Sequence, residues 1–323
     1  MLNPNPSSTV PLAQQLKAAA DPLRLDILRA MACGSFGVLE LCRLFGIKQS
    51  GMSHHLKVLA AAGWISSRRE GNSIFYRRAH LSTDNYQAPL QQQLFDTLDA
   101  QLLSDPVQDG IKVIQAERSA QSLRFFSDNA DKFREQQDLI ASYPVYADQV
   151  LELLTATLLP QRQSVLEVGP GVGEFLTPLA AQFEQVIALD NSSAMLERAQ
   201  ATASKLANIE FIAGDTTTLS KRNITADCIV VNMVLHHTPN PRQVFSELST
   251  ALNCGGALLI TDLCRHDQSW VRETCGDLWQ GFEPSDFSSW ASDAGLREGQ
   301  AVYFALRNGF QIQLRQFFKH KQH

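Results

Sequence analysis

Val165-Leu166-Glu167-Val168-Gly169-Pro170-Gly171-Val172-Gly173-Glu174 reads as a buried apolar strand running into a glycine-rich turn and then a helix. Glycine at alternate positions removes the Cβ atoms that would hold a ligand away from the backbone, and the helix beyond the turn presents unpaired N–H groups. Such a stretch is a cradle for a small molecule, and the order of the downstream strands says which kind. Val186-Ile187-Ala188-Leu189-Asp190 is a second apolar run ending in a carboxylate, 21 residues beyond Gly169. At that distance a βαβ unit sets an acid against ribose hydroxyls, so a nucleoside is expected. Phe211-Ile212-Ala213-Gly214-Asp215 and Asp227-Cys228-Ile229-Val230-Val231-Asn232 supply a third and a fourth strand, each with a polar tip. In open α/β sheets ligands bind at these carboxyl ends.

With Val234-Leu235-His236-His237-Thr238-Pro239 and Leu252-Asn253-Cys254-Gly255-Gly256-Ala257-Leu258-Leu259-Ile260-Thr261-Asp262 added, residues 165 to 263 resemble the class I S-adenosylmethionine-dependent methyltransferases. The resemblance implies a Rossmann-like, seven-stranded α/β domain that binds S-adenosylmethionine or S-adenosylhomocysteine. It implies that Gly169, Gly171 and Gly173 pass under the methionine part and that Glu167 and Asn232 hold its amino-acid end. Asp190, with Asn191, would take the ribose, and Asp215, with Thr216, the adenine. If a methyl acceptor must lose a proton, His236 or His237 is the expected base, since imidazole titrates near neutrality. Trp279 and Phe282 read as core first and as cover for an acceptor second. Val302 to Ala305 and Phe310 to Phe317 read as a final antiparallel pair, turning at Asn308-Gly309.

The 323 residues suffice for two cores, and 44% hydrophobic with 19% charged is a composition suited to a globular fold. Without an apolar run of membrane length or a secretory leader plan, the expectation is a cytoplasmic protein with no membrane partner. The six cysteines form no C-x-x-C pair, so neither a disulfide framework nor a zinc site is expected. Charge is unevenly divided. Ten basic against four acidic residues up to Leu81 give +6, leaving −11 for the rest of a chain whose total is −5. An anionic polymer is therefore expected to meet the first part only.

Asp21-Pro22 caps and opens a helix on which Leu23, Ile27 and Leu28 share a face. Val38 to Phe45, the turn at Gly46, and Gln49 to Ala61 with Met52, Leu56 and Leu59 inward make a helix-turn-helix. Trp64 to Arg69 and Ser73 to Arg78 flank Glu70-Gly71-Asn72, a three-residue connection that closes a hairpin, or wing. Gly51-Met52-Ser53-His54-His55-Leu56-Lys57-Val58-Leu59, Ala62-Gly63-Trp64-Ile65 and Arg68-Arg69-Glu70-Gly71-Asn72 resemble the ArsR/SmtB winged-helix repressors over residues 12 to 81. By this resemblance Gln49, Ser50, Ser53, His54, His55 and Lys57 face the major groove of double-stranded operator DNA. Arg68, Arg69 and Arg77 would meet phosphates. Where thiolate-binding members carry Cys-x-Cys, this chain has Gly37-Val38-Leu39, so no metal is assigned.

The expected division is a winged helix over residues 1–81, a helical connector and dimer interface over 82–160, and the methyltransferase-like domain over 161–323. The combination is similar to the S-adenosylhomocysteine-responsive branch of ArsR-type regulators. Two functions remain open: a ligand-controlled DNA-binding homodimer, which is favoured, and a working methyltransferase with a small-molecule acceptor.

Overall fold

The computed structural model describes residues 9–81 and 85–320, which fall into two compact units meeting between Glu117 and Arg118.

The first unit opens with α1 (Val10–Ala19) and α2 (Pro22–Ala30), the latter capped as its sequence requires: the Asp21 carboxylate accepts the Arg24 N–H at 3.0 Å. A 3-10 turn leads to the short strand β1 (Phe36–Gly37), then α3 (Val38–Phe45) and α4 (Gln49–Ala61). Between the two helices Gly46 takes φ +65°, the left-handed conformation that a tight turn there demands. Strands β2 (Ile65–Glu70) and β3 (Ser73–Arg78) pair antiparallel, and β1 adds to β3. Glu70 lies opposite Ser73, so the wing turns on two residues, Gly71-Asn72, rather than the expected three, with Gly71 at φ +58°. At the centre of this unit Trp64 is fully buried. Its indole N–H donates to the Gln15 carbonyl at 2.9 Å, and its ring meets that of Phe95 edge-on at 5.8 Å.

Residues 82–160 are helical in their described part but make no body of their own. Phe95 and Leu98 of α5 (Ala88–Asp99), with Val107, Ile111 and Ile114 from the first half of α6 (Asp105–Asn129), join the winged-helix core. α7 (Phe133–Asp138) and α8 (Tyr143–Ala156) belong to the second unit, where Val150, Leu153 and Leu154 of α8 pack on the large sheet.

That sheet has strands β4 (Ser164–Val168), β5 (Gln185–Asp190), β6 (Ile209–Ala213), β7 (Ala226–Asn232), β8 (Leu252–Leu263), β9 (Leu296–Ala305) and β10 (Gln311–Lys319) in the order β6-β5-β4-β7-β8-β10-β9. The first five are parallel and β10 runs antiparallel to both its neighbours. Parallel strands covered on both faces call for apolar side chains on both, which is why the central parts of β7 (Cys228 to Val231) and β8 (Ala257 to Ile260) read as continuous hydrophobic runs. The crossovers are made by α9 (Leu176–Gln182), α10 (Ser193–Thr202), α11 (Thr217–Lys221) and α12 (Pro241–Ala251), while α13 (Val271–Thr274) and α14 (Pro284–Asp293) precede β9. β9 begins six residues earlier than the expected Val302, because its first half is an exposed, polar edge that shows no alternation in the sequence. Strand order reverses between β4 and β7, which places the Gly169 turn and Asn232 side by side at the carboxyl end of the sheet.

Candidate functional site

In the first unit, Gln49, Ser50, Ser53, His54 and Lys57 are exposed along one side of α4, as three- and four-residue spacing dictates, while Met52, Leu56 and Leu59 are buried opposite. His55 differs from the expectation: it is half-buried, and its Nδ1 is enclosed with no hydrogen-bond partner among the described residues. On the wing, Arg69 is exposed, its Nε donating to the Gly71 carbonyl at 3.0 Å, and Arg77 is half-buried against Ser66. Arg68 is displaced from its expected role. Its side chain is only 12% exposed and forms an ion pair with Glu70, which is buried at 1%. Arg68 thus neutralises a buried carboxylate inside the wing rather than facing phosphate. Removing one partner of a buried pair costs about 3–5 kcal/mol. Arg68→Ala is accordingly expected to act mainly as a folding mutation, seen as a lower melting temperature. Arg69→Ala should leave melting alone and reduce the slope of log affinity against log salt by about one.

In the second unit the cradle is assembled by backbone. Gly169 donates its N–H to the Leu189 carbonyl at 2.8 Å and takes φ +68°; a Cβ there would lie 2.5 Å from a Val234 methyl. Gly173 is needed for packing more than for a ligand. It takes φ +84°, and a Cβ would stand 2.9 Å from the Ala199 Cα, so the turn lies directly against α10. Gly171, at φ +57°, faces Phe133.

Glu167 sits at the penultimate position of β4, 2% exposed, with Oε2 buried and unpartnered among the described residues. Burial pushes its carboxyl up to about 8. Asn232, at the tip of β7, has both side-chain polar atoms buried without a partner among the same residues. Met233 beyond it takes φ +57°, a conformation sparsely used by branched or bulky residues, and donates its N–H to the Thr261 carbonyl at 2.7 Å. Buried polar groups in folded proteins are almost always satisfied, so an orphaned carboxylate and amide beside a glycine turn fit an amino-acid-like ligand. An ammonium would complete Glu167.

Asp190 ends β5 with Oδ1 accepting the Ser192 N–H at 2.8 Å. Burial lifts its carboxyl to about 6, against the opposing pull of the Ser192 and Asn191 backbone hydrogen bonds. Asn191 beside it is exposed. Asp215 and Thr216 are placed otherwise than expected. Asp215 is exposed and accepts the N–H and hydroxyl of Thr217, capping α11 with its own carboxylate. The Thr216 hydroxyl is spent on Glu247.

The histidine pair divides in character. His236 is completely buried, its Nδ1 2.7 Å from Asp262 Oδ1 and its Nε2 4.0 Å from Asp277 Oδ1. Burial opposes its charge, but the two carboxylates outweigh that and raise it to about 9. The Asp262 contact occupies the Nδ1 side of the ring and leaves Nε2 as its other nitrogen. His237 is driven well below the usual histidine range by burial and by His236. Its Nδ1 faces the Gly276 carbonyl at 3.3 Å, its Nε2 has no partner among the described residues, and its ring lies 4.8 Å from that of Phe126. Asp262 and Asp277 received no role from the sequence. A carboxylate closing the apolar run of β8 was a visible signal for Asp262; Asp277, in an irregular stretch forty residues past the histidines, had none. Trp279 and Phe282 are buried, as a core reading requires; Phe282 packs with Phe287 and Trp290.

Known proteins resemble this chain over two separate stretches. Residues 21–67 match the family described as "Bacterial regulatory protein, arsR family", and residues 166–260 match "Methyltransferase domain". The arsenical resistance operon repressor of Staphylococcus aureus is 32% identical over 74 residues, covering 23% of this chain and 71% of the relative. An uncharacterized methyltransferase of Mycobacterium tuberculosis is 33% identical over 132 residues, covering 38% and 66%. The chain spans about two thirds of the length of most of the curated relatives it matches, and 55% and 22% of two others. Among solved structures, the [4+2]-cyclase SpnF superposes with a TM-score of 0.53 at 15% identity, over 63% of this chain and 97% of that one, a likeness of fold alone. No helix among the described residues is long and apolar enough to cross a membrane. The chain belongs to the ArsR family of bacterial regulatory proteins through its helix-turn-helix unit, and a class I methyltransferase domain follows.

Proposed function

We propose that this protein is a cytoplasmic, homodimeric repressor whose methyltransferase domain binds S-adenosylmethionine or S-adenosylhomocysteine and thereby sets its affinity for operator DNA. One observation carries the reading. A chain that presents an exposed recognition face on α4 also encloses the orphaned polar atoms of Glu167 and Asn232 at a glycine turn. In the bound ligand the α-amino group would meet Glu167, the carboxylate and amino group Asn232 and the turn, and the ribose Asp190. Coupling then requires only that the ligand bind the DNA-competent and free states unequally. Two-fold symmetry would match two half-sites.

Fluorescence anisotropy with the protein's own upstream DNA, at one salt concentration, tests it with no ligand and with each of the two ligands. A shift of about tenfold, or 1.4 kcal/mol of coupling, is expected for one of them; superimposable curves would refute the control of DNA binding. The second reading, a working methyltransferase, is favoured by His237, whose Nε2 is buried and unpartnered among the described residues at the end of β7. Steady release of S-adenosylhomocysteine with an added acceptor would establish it.

Glu167 gives this reading a pH signature. The free carboxyl keeps its proton up to about pH 8, whereas an ammonium ligand selects the ionised form. Ligand affinity is therefore expected to rise between pH 6 and about 8 and to fall at higher pH, where the ligand's ammonium gives up its own proton. Calorimetric titration of Glu167→Gln should show weaker binding and a flat profile over that interval; an unchanged slope would place the titrating group elsewhere.

A further inference from the structure

We propose that His236, His237 and Asp277 form a binding site for a divalent transition-metal ion at the carboxyl end of β7. The three side chains can each offer one donor atom such that all lie within 4.8 Å of one another, and all three are buried. Asp277 Oδ1 stands 4.0 Å from His236 Nε2 and 3.8 Å from His237 Nδ1. Donors around a tetrahedral ion at about 2.0–2.1 Å are about 3.4 Å apart, so the two Asp277 separations must close by roughly half an ångström and the imidazole pair, within 4.8 Å, by up to about 1.4 Å.

The surroundings have the form that metal sites take. Asp262 holds the far nitrogen of His236 at 2.7 Å, fixing the ring and leaving Nε2 directed at Asp277 without a hydrogen bond. A carboxylate behind a ligating histidine orients the ring and raises its basicity. The loop that carries Asp277 is clamped onto the pair by backbone: the His236 carbonyl accepts the N–H groups of Leu278 at 2.9 Å and Trp279 at 3.1 Å. The His237 contact to the Gly276 carbonyl, at 3.3 Å, is long enough to give way to an ion. Two imidazoles and one carboxylate select a borderline ion such as Zn²⁺, Co²⁺ or Fe²⁺ over Mg²⁺ or Ca²⁺, and three protein donors leave a position open for an oxygen-bearing molecule. The site does not depend on the ligand-control reading, and it differs from any site in the winged helix.

The test uses the metal-free full-length protein titrated with Co²⁺, whose visible absorption reports nitrogen and oxygen coordination, followed by displacement with Zn²⁺. A band saturating at one equivalent per chain is expected, with affinity at least about tenfold weaker in Asp277→Asn and in His237→Gln. Zn²⁺ should also raise the melting temperature of the wild type and not of the variants. If Asp277→Asn fails to fold, His237→Gln and the wild-type melting shift decide in the same sense. No saturable band, or a band undiminished in the variants and lost instead in His54→Ala, would overturn the assignment and leave His236 as a buried ion pair between two carboxylates.

Discussion

Replacing Asp190 by alanine is expected to weaken S-adenosylhomocysteine binding at least about a hundredfold, while the ligand-free protein keeps its affinity for DNA. Two hydroxyl-to-carboxylate hydrogen bonds are at stake, each contributing about 1.5–3 kcal/mol when one partner is charged. Together they exceed the 2.8 kcal/mol that corresponds to about a hundredfold. Part of the loss would come from the protein, since Asp190 also accepts the Ser192 N–H and so shapes the start of α10. Asp190→Asn separates the two contributions. It keeps an acceptor for Ser192 and loses only the charge, so its affinity should fall between wild type and alanine. Calorimetry on the three proteins, with anisotropy for DNA, reads both quantities. Alanine binding within threefold of wild type would remove Asp190 from the ribose.

The second large effect is on stability. Trp64→Ala deletes a fully buried indole, the Phe95 contact and the bond to the Gln15 carbonyl. Large-to-small changes of a buried tryptophan cost about 3–5 kcal/mol, and the orphaned carbonyl adds about 1 kcal/mol. In a unit of this size the melting temperature should drop by roughly 15 °C or more, with DNA binding lost at temperatures the wild type withstands. Trp270→Ala is the matched control. That residue is 37% exposed in the other unit, so its replacement should leave DNA binding untouched. A Trp64→Ala protein that melts within 3 °C of wild type would show that Trp64 is not the centre of the core.

What could be read from the sequence was what depends on near neighbours. The Gly169 turn, the acid at Asp190 and the inward set Met52, Leu56 and Leu59 come from spacing within one element or one βαβ unit. Arg68 was misplaced for a reason spacing cannot reveal: a long side chain beside the wing turn can serve water or double back to Glu70, and the buried carboxylate decides. Asp215 shows the same ambiguity, since an acid two residues before Thr217 can bond its own helix start as well as meet a ligand. Residues 82–160 read as helical, but nothing in that reading says that the apolar faces of α5 and α8 belong to different cores. Asp277 joins the histidines only through the folding of an irregular loop, so no pattern in the chain announces it.

The contact between Gly173 and Ala199 makes α10 a mechanical stop for the ligand turn. A bulkier side chain at position 199 would push the turn outward without touching a ligand, and Gly173 has no room to retreat. On the proposed reading, ligand affinity should then respond to the volume at position 199, through the position of the turn and not through any contact with the ligand.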